Sequence, residues 1–272
     1  MTLKRSVGLS LALGAVCFGF RLAVWQAAYD PDTQLITDAG LVLLSNLFFC
    51  LCLLVIGLLF ALRHPRDAAA PAPYSSETPL RRLLRLAAVC CSIVSGVLLF
   101  REQQEVSPVS YIAVIMGVLL VGQGVAQLLL TLWNDTDSKR YASLLLLPAF
   151  SGCYWLVAFY HQFGPAPNRE TYLWPTITGV VVAAAWLGYI AFAYKKPKGT
   201  FFTLTGLIAL PMLLLAAAAP LPLSYRLSLL GQLAWFWAAL LTLHFRPIPE
   251  EEPLSLQDTE ITEEGESPCL KN

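Results

Sequence analysis

Apolar runs of about 20 residues alternate with short polar connectors along residues 1–246. An α-helix rises about 1.5 Å per residue, so about 20 residues match the roughly 30 Å hydrocarbon core of a bilayer. The pattern is plainest at 83–132. There one run, a polar break containing Pro108, and a second run follow in order. Eight runs read as membrane spans: 7–28, 39–62, 83–100, 111–132, 142–160, 171–193, 201–219 and 223–244. The expected fold is all-α: a polytopic transmembrane bundle of eight helices in four antiparallel hairpins, because the connectors are short. The run at 83–100 is the weakest, with a basic first turn in which Arg85 can reach the interface on its long stem. Thr78 and Pro79 suit a short interfacial turn before it. The loop at 63–82, with Pro65, Pro71, Pro73 and Pro79, is expected to be irregular. Pro175 falls in the first turn of its span, where a missing N–H does least harm. Pro148 and Pro211 fall inside theirs and are candidate kinks.

Charge gives the runs a direction. With the N-terminus inside, the inner connectors receive Lys4, Arg5, Arg63, Arg66, Arg81, Arg82, Arg85, Lys139, Arg140, Lys195, Lys196, Lys198, Arg246 and Lys271. The outer side receives Arg21, Arg101, Arg169 and Arg226. Positive charge is retained in the cytoplasm, so both termini are expected there. Residues 247–272 hold eight acidic groups and few large apolar ones, which reads as a disordered cytoplasmic tail. Lys4 and Arg5 before the first run resemble the start of a signal peptide, but Arg21, Trp25 and Gln26 fill the place of a cleavage site. A retained first helix is expected.

Composition fits the same picture. Of the 272 residues, 57% are hydrophobic and 13% charged, against roughly 25% charged in soluble domains. The mean hydropathy is +0.62. Six of the seven cysteines lie inside the runs and read as small buried hydrophobes. No disulfide framework or metal site follows from their spacing.

Polar groups at membrane depth are the candidate functional residues. Arg21 comes first. It lies about 6–9 Å beyond the middle of its helix, toward the outer face. An arginine there needs a partner or a route to the interface. Asp30, Asp32, Glu102, Glu105 and Glu170 are the carboxylates on offer. A structural ion pair or snorkelling ranks ahead of a ligand-facing cation. Arg21, Asp30, Asp32, Arg101, Glu102, His161, Arg169, Glu170 and Arg226 make a candidate outer polar cluster at the helix ends. Gln123 and Gln127, four apart on one helix face, with Asn46 and Gln232, are the candidate intramembrane lining. Interhelical hydrogen bonding ranks ahead of a substrate path for them. No Asp or Glu lies deep in a run, which argues against a pump built on an intramembrane carboxylate. Trp25, Tyr29, Tyr111, Trp133, Tyr141, Tyr160, Tyr172 and Trp174 suit interfacial belts, while Trp155, Trp186, Trp235 and Trp237 suit interior packing.

Catalytic signatures are absent. There is no phosphate-binding loop, dinucleotide fingerprint, zincin motif or nucleophile elbow. His64 and His244 belong inside and His161 outside, so they share no metal site. No cofactor and no nucleic acid is implied. The expected partners are the lipid bilayer and, through the acidic tail, a cytoplasmic or membrane protein, solvation of the tail being the simpler reading.

The stretch Arg21 to Trp25 followed by Tyr29-Asp30-Pro31-Asp32-Thr33, and the stretch from Leu147-Pro148 to Tyr160-His161, together with the eight-run plan, resemble a group of uncharacterised multi-pass membrane proteins of Firmicutes bacteria. The resemblance covers the membrane region and leaves out the tail. It implies a bacterial plasma membrane and carries over no site residues. Three functions remain in order: a structural, sensory or complex-forming membrane component without catalytic chemistry; a small transporter or ligand-binding protein with an outward polar cavity near Arg21; and a membrane enzyme centred on His161 and Glu170.

Overall fold

In lipid every backbone N–H and C=O must be paired within the chain, and an apolar run meets that demand as a continuous helix. The computed structural model describes residues 3–30, 36–63, 69–71, 78–104, 110–132, 139–164, 169–193 and 199–245. They form α1 (Leu3–Ala28), α2 (Ala39–Arg63), β1 (Ala69–Pro71), α3 (Pro79–Gln104), α4 (Tyr111–Leu132), α5 (Lys139–Phe163), α6 (Arg169–Ala193), α7 (Gly199–Ala217), α8 (Leu223–Thr242) and β2 (Leu243–Phe245). Seven of these helices, α1 to α7, are long and apolar enough to cross a membrane. The eighth, α8, carries Arg226 and Gln232 and is not among them.

Six helices close a ring: α3 packs on α4, α4 on α5, α5 on α6, α6 on α7, α7 on α8, and α8 returns to α3. The α1–α2 hairpin lies outside it, with α1 against α7. Cross-helix contacts fix the directions. Gly96 meets Gly117 while Gly124 meets Val89 and Ile93, so α3 and α4 are antiparallel. Ser95 bonds to Ser224 and Gly231 packs on Ala88 and Cys91, so α3 and α8 are antiparallel too. Ser10 bonds to the Leu207 carbonyl and Gly14 abuts Pro211, so α1 and α7 run the same way. The start of α1 and the end of α8 consequently share one end of the bundle, where β2 touches α1.

The ring is filled with large side chains. Trp186, Phe159, Phe202, Phe236, Met116 and Leu210 are fully buried. Trp155 stacks on Phe159 at 4.6 Å, and Tyr225 sets its edge against both rings. Where backbones touch, glycine makes room. A methyl group added at Gly96 would lie 2.7 Å from the Gly117 carbonyl oxygen. One added at Gly14 would lie 2.8 Å from Pro211 Cα. Such small-residue contacts are the usual means of close helix approach in lipid, where apolar surface alone supplies no preference for protein over tails.

Several expectations need correction. The weak third run is a full 26-residue helix whose first turn is the stretch expected as an interfacial turn; Arg81 and Arg82 N–H bond the Thr78 carbonyl. Pro79 opens it, with its fixed φ suited to that position. Arg85 does not snorkel. It is 2% exposed and lies 5.9 Å over the Trp235 ring of α8. The 63–82 loop is not wholly irregular, and His244 is not helical. Ala69–Pro71 pairs antiparallel with Leu243–Phe245, Ala70 opposite His244. Pro175 lies beyond the first turn, because α6 begins at Arg169. The acidic tail lies outside the described residues.

Candidate functional site

The polar groups singled out in the sequence fall at two places. The first is the outer end of α1. Arg21 is 4% exposed there. Its Nη1 donates to Asn46 Oδ1 of α2 at 3.2 Å, and its guanidinium lies 5.2 Å over the Trp25 ring, one turn on along α1. Trp174 Nε1 of α6 donates to the same Asn46 oxygen at 2.8 Å. Two donors thus occupy both lone pairs of one carbonyl and fix the amide's orientation. Trp174 is held edge-on against Phe49 of α2 at 4.6 Å. It is buried, in one cluster with Cys17 of α1, Phe49 and Cys52 of α2 and Met212 and Leu215 of α7. Tyr111 and Tyr160, by contrast, are exposed. The junction binds three helices. The cavity beside it, lined by Arg21, Val24, Trp25, Ala28, Ile36 and Val42, is of about 10 Å³, room for about one water.

The remaining outer candidates are spread around the bundle. Asp30 follows the end of α1. Glu102 accepts a hydrogen bond from Ser224 Oγ at 2.6 Å, tying α3 to α8. Arg101, His161 and Arg226 are exposed at the ends of α3, α5 and α8. Asp32, Glu105 and the side chains of Arg169 and Glu170 lie outside the described residues.

The second place is the interior of the ring. Gln123 Nε2 donates to Ser92 Oγ at 3.4 Å, and Ser92 Oγ donates to Gln127 Oε1 at 3.1 Å. All three are buried between α3 and α4. One hydroxyl serves two amides, and Gln123 Oε1 and Gln127 Nε2 remain without a partner among the described residues. Gln232 Oε1 accepts from Trp186 Nε1 at 2.7 Å, joining α8 to α6. Ser95 donates to the Ser224 carbonyl at 2.6 Å, and Tyr225 to Gln162 Oε1 at 2.6 Å. The four intramembrane candidates therefore sit at helix contacts, with Asn46 in the Arg21 junction.

The serines were missed in the sequence. Their signal was spacing: Arg81, Arg85, Ala88, Ser92, Ser95 and Leu99 recur at alternating intervals of four and three, Gln103 follows four further on, and all are buried on α3. That stripe faces Ser224, Gly231 and Trp235 of α8. No group of three or more His, Cys, Asp or Glu able to hold a metal ion occurs among the described residues. No family model matches the chain, and no curated protein and no solved structure is similar to it. Geometry alone therefore bears on function.

Proposed function

We propose that this is a non-catalytic integral membrane component, structural, sensory or complex-forming, that crosses the bilayer eight times with both termini in the cytoplasm. The bacterial plasma membrane is the location that goes with the resemblance drawn from its sequence. One observation carries the reading. The polar groups in which a carrier would have its path are spent on joining helices: Arg21 and Asn46 on α1, α2 and α6, Gln123 and Gln127 on α3 and α4, and Gln232 on α6 and α8. The cavities beside Arg21 and Gln232 are each of about 10 Å³, too small for any solute larger than water. In lipid, where polar side chains otherwise lose all hydrogen bonding, such pairs are the natural means of holding one helix arrangement. The basic connectors at one end of the bundle support the proposed orientation.

Native mass spectrometry of the protein released from its own membrane in mild detergent is the test. The expected species is a defined assembly of more than one chain. A single chain carrying only lipid, together with saturable solute uptake after reconstitution into vesicles, would overturn the proposal in favour of a carrier.

A further inference from the structure

The ring encloses a cavity of about 10 Å³ where α4, α5, α6 and α8 converge. Ser151 and Trp155 of α5 and Ser228 and Gln232 of α8 line it, with Met116 and Gly179 closing the wall. All four polar side chains are more than nine-tenths buried. Ser151 Oγ and Trp155 Nε1 have no hydrogen-bond partner among the described residues. Gln232 accepts from Trp186 through its carbonyl oxygen, and the same amide carries N–H donors. Polar atoms this deep are ordinarily paired, and a space of this size with several polar groups in its wall takes about one water.

We propose that this cavity is a binding site for one structural water that links α5 to α8 across the ring. The donor and acceptor count matches a single molecule. Trp155 and Gln232 offer N–H donors, and Ser151 and Ser228 offer hydroxyl oxygens; a water accepts two hydrogen bonds and donates two. No charged side chain lines the space, so an ion has no counter-charge there. An apolar occupant would leave Ser151 and Trp155 unmet. Elsewhere α5 and α8 meet through Tyr225, which donates to Gln162 at 2.6 Å and sets its edge against Trp155 at 6.1 Å. The water adds a second tie nearer the middle of both helices.

Ser151→Ala separates the two possibilities by sign. With a bound water the substitution removes a ligand and lowers the unfolding midpoint in detergent. Without one it deletes an unmet hydroxyl and raises the midpoint or leaves it unchanged, and either result would overturn the proposal. Gly152→Ala is the second variant, because a methyl there meets Trp186 Cδ1 at an ordinary 3.5 Å beside the cavity. Displacing a water lowers the midpoint, whereas filling bare space raises it. An experimental map of the full chain at a resolution that shows ordered water decides independently of folding yield. One oxygen within hydrogen-bond distance of Ser151 Oγ and Ser228 Oγ is expected. No density there, or a direct bond between those side chains, would refute the site.

Discussion

The α3–α8 ring and the α1–α2 hairpin are built from the same apolar alphabet and held by different means. In the ring, six helices enclose one another and bury whole aromatic side chains. In the hairpin, α2 packs chiefly on α1 and turns Leu43, Leu44, Leu47, Leu51, Leu54 and Leu58 outward, each more than half exposed. Those leucines suit lipid tails as well as they suit protein, so they give α2 no reason to stay docked. The hairpin is held by its inward face, where Phe49, Cys52, Ile56 and Phe60 are buried, and by directed contacts: Arg21 and Trp174 on Asn46, Phe49 on Trp174, and the small-residue approach of Gly14 of α1 to Pro211 of α7. Packing secures the ring on every side, whereas the hairpin packs on one face only and adds a charged hydrogen-bonded junction.

The contrast breaks most sharply at Trp186, which is fully buried and bonded to Gln232. Trp186→Ala is expected to cost about 3–5 kcal/mol, enough to remove most folded protein, as measured by unfolding in detergent. Next is Gly96→Val. It overpacks the α3–α4 contact and is expected to cost about 1–3 kcal/mol in the same assay, with α1–α2 docking unaffected.

Asn46→Leu strikes the hairpin in turn. It withdraws the acceptor from two buried donors, one of them charged, at an expected cost of about 1–3 kcal/mol. Its signature is faster protease cutting at the exposed residues near Thr37, while the ring's unfolding midpoint stays in place. Arg21→Ala leaves the Trp174 to Asn46 bond intact, so a smaller loss of folded yield is expected. Were the yield normal and the binding or uptake of a solute lost, Arg21 would face a ligand instead. The smallest effect is reserved for Leu51→Ala, within about 0.5 kcal/mol of zero, because that side chain is exposed on the outer face of α2.

Much of the fold was legible because the bilayer allows so few solutions. α4 spans Tyr111–Leu132, as its apolar run does. Most other helices extend past their runs into polar residues, as α3 does from Pro79 to Gln104, since hydropathy marks the hydrocarbon depth and not the end of hydrogen bonding. The β1–β2 pair was invisible: three main-chain partners far apart in sequence need no side-chain pattern. Arg21 declared itself by being an arginine in an apolar run, but its contact Asn46 lay in another helix, and Trp174 looked interfacial by position. Ser92, Ser151 and Ser228 were silent for a different reason. A lone serine in a membrane helix ordinarily bonds its own helix's carbonyl, and only the packed bundle shows where it turns elsewhere.

The proposed alternating crossings put the α1–α2 turn outside the cell and the α2–α3 connector within it. Single cysteines at Thr37 and Thr78, both exposed, placed in a background without native cysteines, can be probed with a membrane-impermeant thiol reagent. Thr37→Cys is predicted to react on intact cells, and Thr78→Cys only after the membrane is opened. Reaction at Thr78→Cys on intact cells, or protection at Thr37→Cys, would contradict those crossings.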